Sequence, residues 1–392
     1  MPKLSVILTS FNHEQFIRDA IDSVLVQTFE DFELLIWDDA SSDGSWRIIQ
    51  SYSDPRIQSF RNDEQRRGIW GINKAIAEIA TGEYIAIHHS DDLWEADKLE
   101  KQVAFLESHP EIGAVFTDAL AINEDGSTFT DKNHFYYSIF NQPNRTRHQW
   151  LRFFFERGNA LCHPSVLIRK QCYADCGLYR YGLAQLGDFD MWVRLCLQYE
   201  IHVLPEKLVR FRVRLNEANT SGNRPDARMR ILVEYRWILF NYRLIDNVDD
   251  LQAVFPSAAK FDRGVQTDLV FALAMTLLNE SGFFLGPLYG LELLFEILSD
   301  KLRADKIKDL YGFDYRDLID ETGKHDFFSR EEVSQLWVEI NARDARADIL
   351  HNELEKMKEV LQLATRQFAE RVEQMAERDA QLAERDAQLA ER

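Results

Sequence analysis

The sequence predicts an α/β protein, with a largely parallel sheet flanked by helices, followed by a helical region and a long terminal helix. Three observations carry that prediction. Over the first 120 or so positions, short apolar runs rich in β-branched residues alternate with stretches whose apolar residues recur at helical spacing. Several of those runs end abruptly in clusters of polar and acidic residues. Beyond about Arg224 the strand-like runs stop and the spacing becomes helical.

Taken in order, Leu4 to Leu8 reads as a buried strand that stops at Thr9-Ser10-Phe11-Asn12. Phe16, Ile17, Ala20, Ile21, Val24 and Leu25 then mark a helix, with Asn12 and Gln15 placed as a capping box. Phe32 to Trp37 is a second strand ending in Asp38-Asp39, followed by a helix carrying Trp46, Ile48 and Ile49. Ile57 to Phe60 gives a third strand, Arg61 to Trp70 a polar loop with a basic middle, and Gly71 to Ala80 a helix. Tyr84 to Ile87 is a buried strand that runs into His88, His89, Ser90, Asp91 and Asp92. Leu99, Val103 and Leu106 mark the next helix, and Ala114 to Thr117 a strand ending at Asp118.

In a doubly wound sheet these polar ends share one rim, where such folds bind ligands. Adjacent carboxylates at Asp91 and Asp92 raise each other's pKa, so the pair needs water or a cation beside it. The plainer reading makes Asp92 the cap of the following helix.

Composition narrows the options. With 392 residues the chain can form two or three domains, and a net charge of −19 argues against nucleic acid or an anionic membrane as a general partner. Four cysteines do not make a disulfide framework; Cys162, His163, Cys172 and Cys176 could gather a zinc ion or simply be small buried side chains. The N-terminus enters a strand directly, without a signal peptide, and Leu269 to Leu298 is interrupted by Asn279, Glu280, Gly282, Gly286 and Pro287, which disqualifies it as a spanning helix. A cytoplasmic protein, at most peripheral at the inner membrane, is expected.

Several ordered patterns resemble one family. They are Ser5-Val-Ile-Leu-Thr-Ser-Phe-Asn12, Ser23-Val-Leu-Val-Gln-Thr-Phe29, Phe32 to Asp39 with Ser41-Ser-Asp-Gly44, Gly82-Glu-Tyr-Ile85 with Ser90-Asp-Asp-Leu-Trp94, Asn159 to Lys170 with His163-Pro-Ser-Val166, and Gly187-Asp-Phe-Asp-Met-Trp192. Together they resemble the inverting family 2 glycosyltransferases of the GT-A fold (a Rossmann-like nucleotide-diphospho-sugar transferase domain), over roughly the first 220 residues. The resemblance implies that Thr9, Phe11, Asn12 and Glu14 hold the nucleotide and that Asp39 contacts the uracil edge. It also implies that Gly68 and Asn73 flank the nucleotide-sugar, that Asp91 binds a divalent metal on the donor diphosphate, and that Asp188 is the general base. Magnesium or manganese suits such oxygen ligands. Asp188 precedes an apolar helical stripe, so a helix N-terminus, and even a simple N-cap, is also expected there, with Asp190 and Arg194 as an outward ion pair.

The chain departs from the family pattern at three places, two of them where metal is bound and one beside the general base. His89-Ser90-Asp91 stands for the family's D-x-D, Gly187-Asp188 for its E-D pair, and Phe211-Arg-Val-Arg214 for its Y-R-x-H. An arginine offers no lone pair to a metal, but Arg214 can pair with a diphosphate directly. His89 remains a candidate ligand.

The expected organisation is a GT-A domain over 1–223, a helical domain over 224–345 and a heptad segment over 346–392. Ala347, Leu354, Leu361, Phe368, Met375, Leu382 and Leu389 fall seven apart, with Leu350 and Met357 on the second seam position before it fades to Arg371 and Arg378. This predicts a homo-oligomeric coiled coil, and the end in mid-repeat points to a further domain downstream. The expected activity is transfer from a nucleoside diphosphate (UDP) sugar to a glycan, a lipid-linked acceptor or, less favoured, a protein, in bacterial surface-glycan assembly. Two alternatives are a degenerate, oligomeric glycosyltransferase-like scaffold or nucleotide-sugar-binding module, and a nucleotidyltransferase, whose glycine- and arginine-rich first loop Thr9 to Glu14 lacks.

Overall fold

A computed structural model describes residues 1–280, 285–327 and 330–390. The chain forms two compact units, Met1–Thr322 and Gly323–Arg392.

The first unit is built on an eight-stranded sheet. Its strands are β1 (Leu4–Ser10), β2 (Phe32–Asp38), β3 (Ile57–Arg61), β4 (Tyr84–His89), β5 (Leu93–Trp94), β6 (Ile112–Ile122), β7 (Leu167–Arg169) and β8 (Glu200–Arg212), in the order β3-β2-β1-β4-β7-β6-β8-β5. The four strands β3-β2-β1-β4 are parallel, as the alternation of strand and helix predicts. The rest corrects that expectation: β7 is antiparallel to both β4 and β6, and β5 is antiparallel to β8, so the sheet is mixed. A strand of three residues such as β7 is too short to show a period of its own.

Asp118 is a second correction. β6 continues to Ile122, with its pairing to β8 shifted on either side of Asp118, so that residue lies inside a bulged strand. It does not join the rim.

Around the sheet lie α1 (Ile17–Leu25), α2 (Ser45–Ile49), α3 (Gly68–Lys74, running on into a π-helical turn over Ala75–Ile79), α4 (Lys98–Ser108), α5 (Arg147–Arg157), α6 (Lys170–Cys176) and α7 (Gly187–Cys196). β1 and β4 are buried on both faces at Leu4, Val6, Ile7, Leu8, Ile85 and Ile87, which explains their unbroken apolar sequence. Asn12 caps nothing: α1 starts at Ile17 without a side-chain cap, and Asn12 instead has a positive φ of 53°.

The helical region follows: α8 (Pro225–Leu239), α9 (Val248–Val254), α10 (Leu269–Asn279), α11 (Leu285–Ser299), α12 (Lys301–Tyr311) and α13 (Tyr315–Thr322). It packs onto the sheet unit through α5: Tyr235 Oη donates to the Phe154 carbonyl at 2.7 Å and Tyr242 Oη to that of Leu151 at 2.8 Å. Asp190 and Arg194 are buried, correcting the outward pair. Arg194 Nε meets Asp190 Oδ2 at 2.9 Å, while Arg180 and Asn241 take Asp190 Oδ1 at 2.9 Å each. No helix among the described residues is long and apolar enough to cross a membrane. Gly282, one of the interruptions noted above, lies outside the described residues.

The second unit contains α14 (Arg330–Ala390). Leu350, Leu354, Met357, Leu361 and Met375 are exposed along it. The side chains of Phe368, Leu382 and Leu389 lie outside the described residues.

Candidate active site

Parallel pairing sets Thr9 level with Trp37 on one side and His89 on the other, so the loops after β1, β2 and β4 leave the sheet together. Backbone bonds knit that rim: Asp39 N–H donates to the Ser10 carbonyl at 2.9 Å and Ser90 N–H to that of Thr9 at 3.2 Å.

The first two loops are tied to each other side chain by side chain. Asn12 Oδ1 accepts from Ser42 N–H at 2.8 Å, and Asn12 N–H donates to Ser41 Oγ at 2.9 Å. Glu14 Oε2 accepts from Gly44 N–H at 2.5 Å, so tightly that a Cβ on Gly44 would meet the same oxygen at 2.5 Å. Phe11 stands 37% exposed at the lip of this structure. Asp39 is nearly buried and organises the next loop. Its Oδ1 accepts from Asn62 Nδ2 at 2.6 Å and Arg66 N–H at 2.8 Å, and its Oδ2 from Arg67 N–H at 2.6 Å. A carboxylate oxygen accepts two hydrogen bonds, so Oδ2 keeps one lone pair for a ligand. Gly68 begins α3 immediately afterwards. Asn73 is buried, and both ends of its amide are used on the Tyr179 backbone, at 2.7 and 3.0 Å.

The loop after β4 gathers His89, Asp91 and Asp92, whose ligand atoms all lie within 4.8 Å of one another; among the described residues no other set of His, Cys, Asp and Glu does so. Cys162, His163, Cys172 and Cys176 therefore form no zinc site. Asp92 is not a helix cap either, because α4 begins at Lys98. Its Oδ1 accepts from Arg212 N–H at 2.8 Å while its Oδ2 is buried without a partner, 3.7 Å from His89 Nδ1. Burial first, and the neighbouring Asp91 charge second, push the Asp92 carboxyl well above the usual range.

Behind this group, His89 Nε2 lies 3.3 Å from His163 Nδ1, and His163 Nε2 lies 2.9 Å from Tyr179 Oη. Burial lowers the pKa of both imidazoles. Arg214 Nη1 stands 3.8 Å from Asp91 Oδ2, and its Nε donates to Glu124 Oε1 at 2.8 Å.

Asp188 sits in the first turn of α7 and is not its N-cap residue, which is Leu186. Its Oδ1 accepts from Phe189 N–H at 2.8 Å and its Oδ2 from Asn159 Nδ2 at 2.9 Å. The helix end and these bonds favour the charged form, but burial outweighs them and pushes the carboxyl up to about 6. The approach to Asp188 is held from the helical region. The buried Glu234 of α8 accepts from the N–H groups of Ala184, Gln185 and Leu186, each at 2.8 Å. One short segment joins the two halves of the site. Asn159 reaches Asp188, His163 reaches His89, and between them the Cys162 thiol is raised by burial and by the charges of both Asp92 and Asp188.

Comparison with known proteins agrees with this rim. Residues 5–172 match the model for glycosyl transferase family 2. Over that segment the chain is similar to the family. The match takes in the loops after β1, β2 and β4, while Asp188 and Arg214 lie beyond it. A protein of Bacillus subtilis (strain 168) named as a glycosyltransferase, EpsE, is 32% identical over 198 residues, covering 49% of this chain and 66% of its own length. The Escherichia coli UDP-Glc:alpha-D-GlcNAc-diphosphoundecaprenol beta-1,3-glucosyltransferase WfgD is 40% identical over 103 residues, 26% of this chain and 40% of its own. The chain thus spans less than two thirds of either relative. Among solved structures, residues 1–349 of TarS from S. aureus in complex with UDP align with a TM-score of 0.52 and 18% identity, covering 80% of this chain and 93% of that one, which shows a shared fold.

The rim uses residues to which the sequence assigned no part in it: His13, Glu124, Asn159, His163, Tyr179 and Glu234. His163 and Asn159 fall inside a recognisable motif, which was the available signal. Contacts such as Asn159 with Asp188, 29 residues apart, leave no local pattern.

Proposed function

We propose that this chain is an inverting glycosyltransferase that moves a sugar from a nucleoside diphosphate donor, with UDP as the nucleotide, to a glycan or lipid-linked acceptor in bacterial surface-glycan assembly. The observation that carries this reading is Asp188, whose carboxyl is lifted to about 6 and tied through Asn159–His163 to the His89, Asp91 and Asp92 group. A carboxylate with that affinity for protons is matched to accepting one near neutral pH.

In the reaction, Asp188 takes the proton of the acceptor hydroxyl as that oxygen bonds the anomeric carbon. The bond from that carbon to the diphosphate oxygen breaks on the opposite face, and the diphosphate leaves with the electron pair. Configuration inverts. On the donor side, Thr9, Phe11 and Asp39 line the nucleotide, with the free lone pair of Asp39 Oδ2 facing the base. Asn12, Glu14 and Gly68 shape the loops, and Asn73 acts through the Tyr179 backbone rather than by contact. The unpartnered Asp92 Oδ2 beside an imidazole and a second carboxylate fits magnesium or manganese, held by His89, Asp91 and Asp92. When bound, such an ion neutralises charge on the departing diphosphate.

UDP is favoured because the WfgD name specifies a UDP-glucose donor and the aligned TarS structures hold UDP or UDP-GlcNAc. The acceptor class follows the same relative. The exposed seam of α14 supports self-association through that helix, and the enzyme is placed in the cytoplasm, peripheral to the membrane that carries its acceptor. A screen of UDP-, GDP- and dTDP-sugars by hydrolysis and thermal stabilisation tests the reading. Stabilisation and slow hydrolysis with UDP-sugars are expected; neither with any donor would sink it.

A further inference from the structure

Arg214 is held by two residues with no assigned part in the reaction. Its Nε donates to Glu124 Oε1 at 2.8 Å, and its Nη1 lies 2.9 Å from His13 Nε2. A guanidinium can only donate, so His13 Nε2 must be the acceptor and the imidazole is neutral with its proton on Nδ1. That proton points at Ser90 Oγ, 2.8 Å away, in the loop that carries Asp91. The ring face of Phe16 lies 4.7 Å from the Arg214 guanidinium, and Arg212 sits over the same ring, also at 4.7 Å. Arg212 is buried, and its guanidinium donates only to backbone carbonyls, those of Asp91, Asn123 and Glu124. In a chain of net charge −19, two guanidinium groups are thus fixed at the rim beside Asp91. None of the hydrogen bonds among the described residues uses Arg214 Nη2.

We infer that Arg214 is a built-in cation for the donor diphosphate, locked in place by His13 and Glu124 as positioning residues, and that the nucleotide binds without a divalent metal. This rests on the donor reading above and goes beyond it by assigning the charge of the diphosphate to the protein. Nη2 and Nη1 present a planar fork that matches two phosphoryl oxygens, a geometry that lysine lacks. Burial lowers the His13 pKa, which keeps its Nε2 free to accept.

Calorimetry of UDP binding to the full chain, in chelator and in manganese, tests the inference. The expected result is affinities within about fivefold of each other for the natural chain. Arg214→Gln and His13→Phe should lose roughly tenfold or more in chelator, the worth of a charge-assisted hydrogen bond, and regain most of it in manganese. Arg214→Lys should behave as Arg214→Gln does. Unchanged unliganded melting temperatures would show that the variants fold. Loss of binding by the natural chain in chelator, with tight binding in manganese, overturns the inference and leaves the donor reading standing. So does a His13→Phe protein that binds equally in both. No UDP binding under either condition overturns the donor reading itself.

Discussion

Replacing Asp188 by Asn should separate catalysis from stability. In the folded protein burial lifts this carboxyl from 3.8 to about 6, which makes its ionised form roughly 3 kcal/mol less favourable than in the unfolded chain. The side chain keeps partial access to water, which reduces the effect to about 2 kcal/mol. The sign follows from proton binding. Between pH 3.8 and about 6 the folded state holds a proton that the unfolded state has released, so the natural chain loses stability as pH rises through that window. Asparagine has no such titration. Its amide would, however, meet the Asn159 amide donor-to-donor, because Asn159 Oδ1 is committed to Leu161 N–H at 3.0 Å. That clash costs about 1–2 kcal/mol at every pH. It therefore cancels when the stability difference between variant and natural chain is compared at pH 4 and pH 8. Urea midpoints at the two pH values should shift in the variant's favour on going to pH 8, by the equivalent of about 2 kcal/mol. Transfer activity should fall by roughly 10²–10⁴, with UDP affinity intact, and kcat/KM of the natural chain should rise through about pH 6. A stability difference that does not change with pH refutes the burial argument. Undiminished turnover refutes the base.

Asp92→Asn should leave the fold standing, since Oδ1 still accepts from Arg212 N–H, but weaken Mn²⁺ binding by roughly tenfold or more as read by paramagnetic resonance or calorimetry. Arg194→Met strands the buried Asp190 with Arg180 and Asn241 alone and should cost about 3 kcal/mol in a denaturant titration. Gly82→Ala drives a Cβ to 2.5 Å from Ser5 N and 2.6 Å from the Leu4 carbonyl carbon, where β1 starts; a loss of roughly 2 kcal/mol or failure to express folded is expected. Leu350→Asp with Leu354→Asp, on exposed α14, should reduce the mass found by light scattering to that of one chain without affecting donor hydrolysis.

The parallel half of the sheet was legible because β1, β2 and β4 are buried on both faces, and burial writes itself as an unbroken apolar run. The same logic located the loops at Thr9, Asp39 and Asp91. It failed at β7, three residues long, and at Asp118, where a bulge lets β6 continue past an acidic residue that looked like a strand end. Asp92 was misread as a cap because one carboxylate before a helix looks alike whether it faces a backbone N–H or a buried gap; only the distant β8, through Arg212, distinguishes them. Asp190 and Arg194 show the reverse: spacing found the pair but could not say that α8 and its neighbours would cover it. Asn73 matched a binding motif in sequence, yet its amide is spent on Tyr179. The pattern marks a position; the contacts decide its work.

Glu234 has a consequence for how such enzymes can be recombined. It belongs to α8, well past the stretch that matches family 2, yet it acts as an anion seated in the nest of three peptide N–H groups just before Asp188. A chimera joined between α7 and α8 would keep the loops after β1, β2 and β4 together with Asp188 but receive a foreign floor beneath that carboxylate. Exchanging helical regions thus requires the graft to bring its own carboxylate to this nest, and the natural unit of exchange runs from before Ala184 through α8.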